Sequence, residues 1–100
     1  MAIKTDRSVV KVCPAARVGG TLVTDDEWGL TLENPGTGRH RVTWPHGYSA
    51  RRESGVVYLV DDRGEVIARE GDHIHAGGAS DDDGTAHVCF GITVDVPAGT

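Results

Sequence analysis

Residues 72–89 hold the part of the sequence best equipped for chemistry. They contain a His-x-His pair, His73 and His75, and a His-x-Cys pair, His87 and Cys89, with an acidic, glycine-rich gap between them. Imidazole nitrogens and a thiolate suit tetrahedral zinc, and they also suit copper. The spacing therefore suggests a metal site built across two strands. The alternative is a hairpin whose solvent face carries these polar side chains.

The metal hypothesis depends on one strand register. If His75 lies opposite His87, then His73 faces Cys89, and Ile74 faces Val88 on the apolar side. Paired Cβ atoms are about 4.5–5.5 Å apart, and same-face residues along a strand are about 7 Å apart. Four side chains at such corners could share one zinc or copper ion, with residues 79–83 as the connecting loop. A slip of one residue would destroy this arrangement, whereas a slip of two would only shift it. The primary expectation is no cofactor, with zinc or copper as the alternative.

A second candidate site covers residues 44–52, which run from the end of a predicted strand into a predicted loop over residues 45–55. It combines aromatic and cationic side chains, which are enriched at binding hot spots: Trp44, His46, Tyr48, Arg51 and Arg52. We expect this segment to contact a partner or a ligand. The alternative is structural: Trp44 plugs a barrel, and Tyr48 packs back over the turn.

The elements that position these residues are predicted to be strands, because apolar residues alternate along most of the chain. The run from Val88 to Val96 places Val88, Phe90, Ile92, Val94 and Val96 on one face. Earlier runs lie near residues 9–12, 20–24, 28–34, 40–44, 55–60 and 65–70. Glycine-containing turns at residues 34–38 and 61–64 indicate hairpins. The pattern predicts an all-β fold, a small antiparallel barrel of OB-like or SH3-like proportions with seven or eight short strands. A two-sheet β-sandwich is the alternative.

Composition limits the functional classes. A chain of 100 residues predicts one domain, 1–100, with residues 1–8 as a candidate flexible segment. The net charge of -5, with no basic cluster beyond Arg51 and Arg52, argues against nucleic-acid binding. No apolar run is long enough to span a membrane, and no signal peptide is evident at Met1, so we expect a cytoplasmic protein, or a secreted one if a leader was removed. The two cysteines, Cys13 and Cys89, could form a single disulfide, which would imply an oxidising compartment.

The sequence also resembles a known group. A run V-D-x-x-G-x-V-I-A-R-x-G-D-x-I-x-x-G-G spans residues 60–78, and a W-P-x-G-Y segment spans residues 44–48. Together they resemble small uncharacterised bacterial β-proteins of actinobacterial type, over roughly residues 20–78. The resemblance implies a fold of turns and strands and carries no known activity.

These observations favour a non-catalytic binding or accessory module that contacts a protein partner or small ligand through residues 44–52. No nucleophile elbow, phosphate loop or HExxH motif occurs, so we do not expect an enzyme. A homodimer through a strand edge is left open. The rival hypothesis is a metal-binding protein that uses His73, His75, His87 and Cys89.

Overall fold

The computed structural model describes residues 3–6, 16–80 and 83–98, and these contain strands and turns. In chain order the strands are β1 (Ala16–Asp25), β2 (Gly29–Asn34), β3 (Gly38–His40), β4 (Val42–Thr43), β5 (Ser49–Glu53), β6 (Val56–Val60), β7 (Val66–Arg69), β8 (His73–Ser80) and β9 (Ala86–Val96). Six of them form one sheet in the order β3-β2-β1-β8-β9-β4, and β5-β6-β7 form a second. The predicted all-β class is confirmed, with nine strands in the described ranges where seven or eight were expected.

The larger sheet is barrel-like because its two edge strands, β3 and β4, are consecutive parts of one bent segment of the chain. β3 pairs with β2 at one edge, and β4 pairs in parallel with β9 at the other. Only Arg41 separates β3 from β4, and its carbonyl accepts a hydrogen bond of 2.8 Å from the Ala86 N–H. The sheet thus nearly closes on itself. The strand expected near residues 9–12 lies outside the described residues. No helix with the length and apolar character of a membrane span occurs in the described part of the chain.

The core is one cluster to which both sheets contribute. Trp44 is fully buried at its centre, and its indole N–H donates to the carbonyl of Leu30 at 3.2 Å. The other large side chains without exposed surface are aliphatic: Leu22, Leu30, Val57, Leu59 and Val88. Satisfying the indole N–H inside the core removes the main cost of burying a tryptophan.

The predicted hairpins β2–β3, β6–β7 and β8–β9 are all present. The predicted loop over residues 45–55 is wrong in its second half, since β5 occupies Ser49–Glu53. β5 meets β6 through a two-residue turn in which Ser54 and Gly55 have φ angles of 51° and 79°. Two positive φ values are what a type I′ hairpin turn requires. The serine in the first of these positions hid the hairpin from sequence inspection.

The predicted register of β8 and β9 is also wrong. His75 lies opposite Thr93, and His87 lies opposite Ala79. β8 continues through Gly77 and Gly78 to Ser80, which was expected to be loop, and the register shifts three times along the hairpin. One shift coincides with Gly91, whose φ of 67° fits a glycine bulge. Each bulge adds an unpaired residue, so simple alternation could not predict the pairing.

Candidate functional site

The four residues of the predicted metal site do not converge. His75 Nδ1 lies 2.7 Å from a carboxylate oxygen of Asp95, and His73 Nδ1 lies 3.5 Å from the same carboxylate group. His87 instead bonds through Nε2 to the carboxylate of Asp6 at 2.8 Å. His73 and His75 are therefore separated from His87, and the two groups contact different carboxylates.

Cys89 does not supply a thiolate, because it is disulfide-bonded. Cys13, the only other cysteine of the sequence, lies outside the described residues. Within residues 3–6, 16–80 and 83–98, no group of three or more His, Cys, Asp or Glu side chains could hold a metal ion. The register correction thus removes the geometric basis of the zinc or copper hypothesis.

The Asp95 carboxylate is the centre of what the histidines do form. The hydrogen bond from His75 holds the pKa of Asp95 below its usual value, and His73 and Arg17 act in the same direction. The carboxylate accepts a hydrogen bond from His75, and His73 lies 3.5 Å away, so these three side chains form a polar cluster that links β8 to β9 on their outer face.

The predicted contact segment, residues 44–52, divides into buried and exposed parts. Trp44 is a core residue with no accessible surface, so its assignment as a contact residue is wrong and the structural alternative holds for it. His46 bonds through Nδ1 to the carbonyl of Asp6 at 3.0 Å. Tyr48 packs against the core, and burial raises its pKa, as do the nearby Asp61 and Asp62 charges. Arg51 and Arg52 are exposed on β5, where Arg51 pairs with Glu53 at 3.3 Å.

The structure assembles a different surface around the second tryptophan. A groove of about 320 Å³ lies between the β1–β2 turn, the β3–β4 connection and the N-terminal segment. We call it the Trp28 groove, and it is lined by Ile3, Lys4, Glu27, Trp28, Arg41 and Val42. Grooves that combine apolar walls with a few polar groups are the usual form of binding sites.

Asp25 fixes the turn that presents Trp28. Its carboxylate oxygen accepts the backbone N–H groups of Glu27 and Trp28, each at 2.9 Å, and its other oxygen accepts from Arg39 at 3.0 Å. These donors hold the pKa of Asp25 below its usual value, the Trp28 N–H contributing most. An aspartate whose carboxylate accepts the backbone N–H groups two and three residues later forms an Asx-turn, a common way of stabilising a turn. Trp28 is thus presented on a rigid turn, only partly buried.

Arg41 lines the groove next to Trp28. Its guanidinium carbon lies 5.3 Å from the centroid of the Trp28 ring, within the range of a cation–π contact. One of its terminal nitrogens also lies 3.2 Å from the carboxylate of Asp83. Arg41 is the single residue between β3 and β4, so barrel closure itself determines where its side chain starts.

The N-terminal segment completes the groove. Thr5 bridges Trp44 in parallel, the Trp44 N–H donates to the Lys4 carbonyl at 2.9 Å, and the Asp6 N–H donates to the Trp44 carbonyl at 3.0 Å. Ile3 packs against the core from the same segment. The Lys4 ammonium forms no hydrogen bond or ion pair with the residues that the structure describes. It is therefore available to a bound group.

Sequence inspection missed this groove for identifiable reasons. The predicted strand near residues 28–34 included Trp28, but Trp28 belongs to the turn before β2. Lys4 and Arg41 are far from Trp28 in sequence, and only barrel closure brings them together. The one local signal was Asp25 three residues before Trp28, a spacing typical of an aspartate-locked turn.

Comparison of the chain with protein-family models, with curated proteins and with solved structures gave no match. The resemblance to small bacterial β-proteins therefore stays a prediction. Any functional assignment depends on the geometry of this chain alone.

Proposed function

We propose that this protein is a non-catalytic binding module that holds an acidic segment of a protein partner in the Trp28 groove. The observation that carries the proposal is the partly exposed Trp28, which shares its groove with two cations, Lys4 and Arg41. Tryptophan and arginine are the side chains most enriched at hot spots of protein interfaces. The groove replaces residues 44–52 as the preferred contact region, since Trp44 is buried.

Charge supports an acidic partner. The whole chain carries a net charge of -5, and the groove is lined by Lys4, Arg41 and Glu27, with Asp83 paired to Arg41 from outside the lining. A lysine ammonium beside an aromatic ring favours an anionic segment over a cationic one at that point. Because Arg41 is already paired with Asp83, the Lys4 ammonium, which has no ion-pair partner among the described residues, is the better anchor for an incoming carboxylate.

The apolar part of the groove supports a peptide with at least one large apolar side chain. Val42 is 2% exposed, Ile3 packs on the core, and the partly buried Trp28 ring lies beside them in the groove lining. Burying one leucine or phenylalanine side chain there would contribute about 1.5–3 kcal/mol. A short acidic segment around an apolar residue matches both halves of the surface.

The test is selection from a displayed library of random peptides, carried out in parallel on four purified proteins. These are the wild type, Trp28→Ala, Lys4→Gln and a control variant, Arg51→Ala, altered in the exposed part of β5. We expect the wild type and the control to enrich peptides that combine aspartate or glutamate with leucine or phenylalanine, and the other two variants to lose them. Loss of binding in Arg51→Ala with retention in Trp28→Ala would overturn the proposal in favour of residues 49–53. Failure to enrich any acidic peptide would overturn it as well.

A further inference from the structure

A second pocket lies at the opposite end of β1 from the Trp28 turn. Among the described residues, Thr21 to Asp25 of β1 pair with β2, whereas residues 16–20 pair with β8 only. β2 ends at Asn34, whose side-chain amide donates to the Gly19 carbonyl at 2.9 Å. The gap beside this unpaired edge forms a pocket of about 270 Å³, which we call the barrel-end pocket.

The floor of the barrel-end pocket is apolar. Val18, Leu32 and Ala86 reach it from β1, β2 and β9, with exposed fractions of 8%, 1% and 7%. They belong to the core cluster, so the floor is fixed by the packing of the barrel. A short alkyl chain could lie on this floor without disturbing it.

One wall is rigid because His40 is held through both ring nitrogens. Nδ1 lies 3.3 Å from the Gly84 carbonyl, and Nε2 lies 2.8 Å from the Thr37 hydroxyl. A carbonyl can only accept, so Nδ1 carries a proton and donates to Gly84, and in the neutral ring Nε2 accepts from Thr37. This wall therefore links the β2–β3 turn to the start of β9 and needs no ligand to be ordered.

The rim of the barrel-end pocket carries a cation and polar donor groups. Arg17 forms no hydrogen bond or ion pair with any described residue, although its charge lowers the pKa of Asp95 at longer range. Ser80 is exposed at the rim on the neighbouring strand. The Gly19 carbonyl points toward Asn34, and the N–H of a strand residue lies on the same side as its carbonyl, so the Gly19 N–H faces the pocket too.

We propose that the barrel-end pocket binds a small aliphatic carboxylate. The carboxylate lies on Arg17, with Ser80 and the Gly19 N–H as further donors, and the alkyl chain lies on Val18, Leu32 and Ala86. Guanidinium and carboxylate make strong charge-assisted hydrogen bonds, frequently two in parallel. A single cation matches the single charge of a carboxylate better than a phosphate dianion. The volume is just below the lower end, about 300 Å³, of the range for drug-sized sites, which favours a short chain. This site is separate from the Trp28 groove, and neither proposal depends on the other.

The experiment is an NMR titration of the amide resonances with sodium butanoate, and in separate samples with the neutral analogue butanamide, inorganic phosphate and sodium chloride. We expect butanoate alone to shift the Gly19, Ser80 and Ala86 amides saturably in the millimolar range. Arg17→Gln should weaken that binding about tenfold, as expected for loss of a charge-assisted contact. Arg63→Gln, altered at an arginine that is 77% exposed in the β6–β7 turn, should leave it unchanged.

Four results would contradict the proposal. Equal shifts with butanamide would show that the charge plays no part, and equal shifts with chloride would show a general salt effect. Tighter binding of phosphate would assign the pocket to a different oxyanion. Unchanged butanoate affinity in Arg17→Gln, whose fold the spectrum itself reports, would remove the cation on which the proposal rests.

Discussion

The Arg41 guanidinium lies 5.3 Å from the centre of the Trp28 ring, and this contact joins the β1–β2 turn to the point where the barrel closes. Neither residue is near the other in sequence. The same arginine forms an ion pair with Asp83, which lies just before β9. Three segments that are separated in sequence therefore meet at one guanidinium. A surface assembled this way depends on the fold as a whole, which makes several consequences measurable.

The first prediction concerns Trp44 as a core residue. Trp44→Ala removes a fully buried side chain and should lower the free energy of unfolding by about 3–5 kcal/mol. Trp44→Phe keeps most of the volume but leaves the Leu30 carbonyl without its donor, at a cost of about 1–3 kcal/mol. Urea denaturation of the three proteins measures both. A loss below about 1 kcal/mol for Trp44→Ala would mean that Trp44 is a surface residue after all.

A second prediction concerns the close approach of β8 and β9. A Cβ added at Gly78 would collide with the carbonyl oxygen of His87, which is backbone and cannot easily move. Gly78→Ala should therefore lower the free energy of unfolding by about 1–3 kcal/mol or more. Gly36→Ala is the matched control, because nothing lies within 4 Å of a Cβ there, and its effect should stay within about 0.5 kcal/mol. Equal effects of the two substitutions would contradict the observed register.

A third prediction concerns the pKa of Asp95. The folded protein holds this pKa below its usual value, chiefly through the His75 hydrogen bond. The group therefore adds stability at pH values above the unfolded pKa of about 3.9, and that stability is lost as the pH falls through the lowered folded pKa. Carboxyl NMR titration should show the pKa rising in His75→Ala, and rising less in His73→Ala, whose contact is longer. An unchanged pKa in His75→Ala would show that this hydrogen bond does not form in solution.

A fourth prediction concerns metal. Because His75 is hydrogen-bonded to Asp95 with His73 beside it, and His87 is hydrogen-bonded to Asp6, zinc should find no four-residue site on this hairpin. Native mass spectrometry with added zinc or copper, before and after EDTA, should show no stoichiometric ion that depends on His87. One ion per chain that disappears in His87→Ala would restore the original metal hypothesis and contradict the register of β8 and β9.

Several features of the fold could be predicted because they follow from local rules. Alternation located most strands, and glycine turns located the hairpins at residues 34–38 and 61–64. The burial of Trp44 was within reach too, since it shares the alternation of Val42. These features need only the two-residue period of a strand and the φ preferences of turn residues.

What could not be predicted depends on bulges and closure. Alternation assigns faces correctly up to the first bulge, and β9 departs from it at Gly91, so His87 and His75 do not meet. Val96, which follows these register shifts and was expected on the apolar face, is 53% exposed. The side chain of Phe90, expected on the same face, lies outside the described part of the chain. To predict the Trp28 groove, one would have to know that the segment around Arg41 closes the barrel. Contacts between residues distant in sequence carry no local pattern.

The measurement that tests the central claim most directly follows the two indole N–H resonances by NMR during titration with the strongest acidic peptide from the library selection. Trp28 lines the groove and Trp44 is fully buried, so one protein supplies both the probe and its control. We predict that the Trp28 resonance shifts saturably, that the Trp44 resonance stays in place, and that the same peptide with its acids changed to amides leaves both unmoved. A stationary Trp28 resonance, with shifts in β5 at Arg51 and Arg52 instead, would contradict the account and place the binding surface on the second sheet.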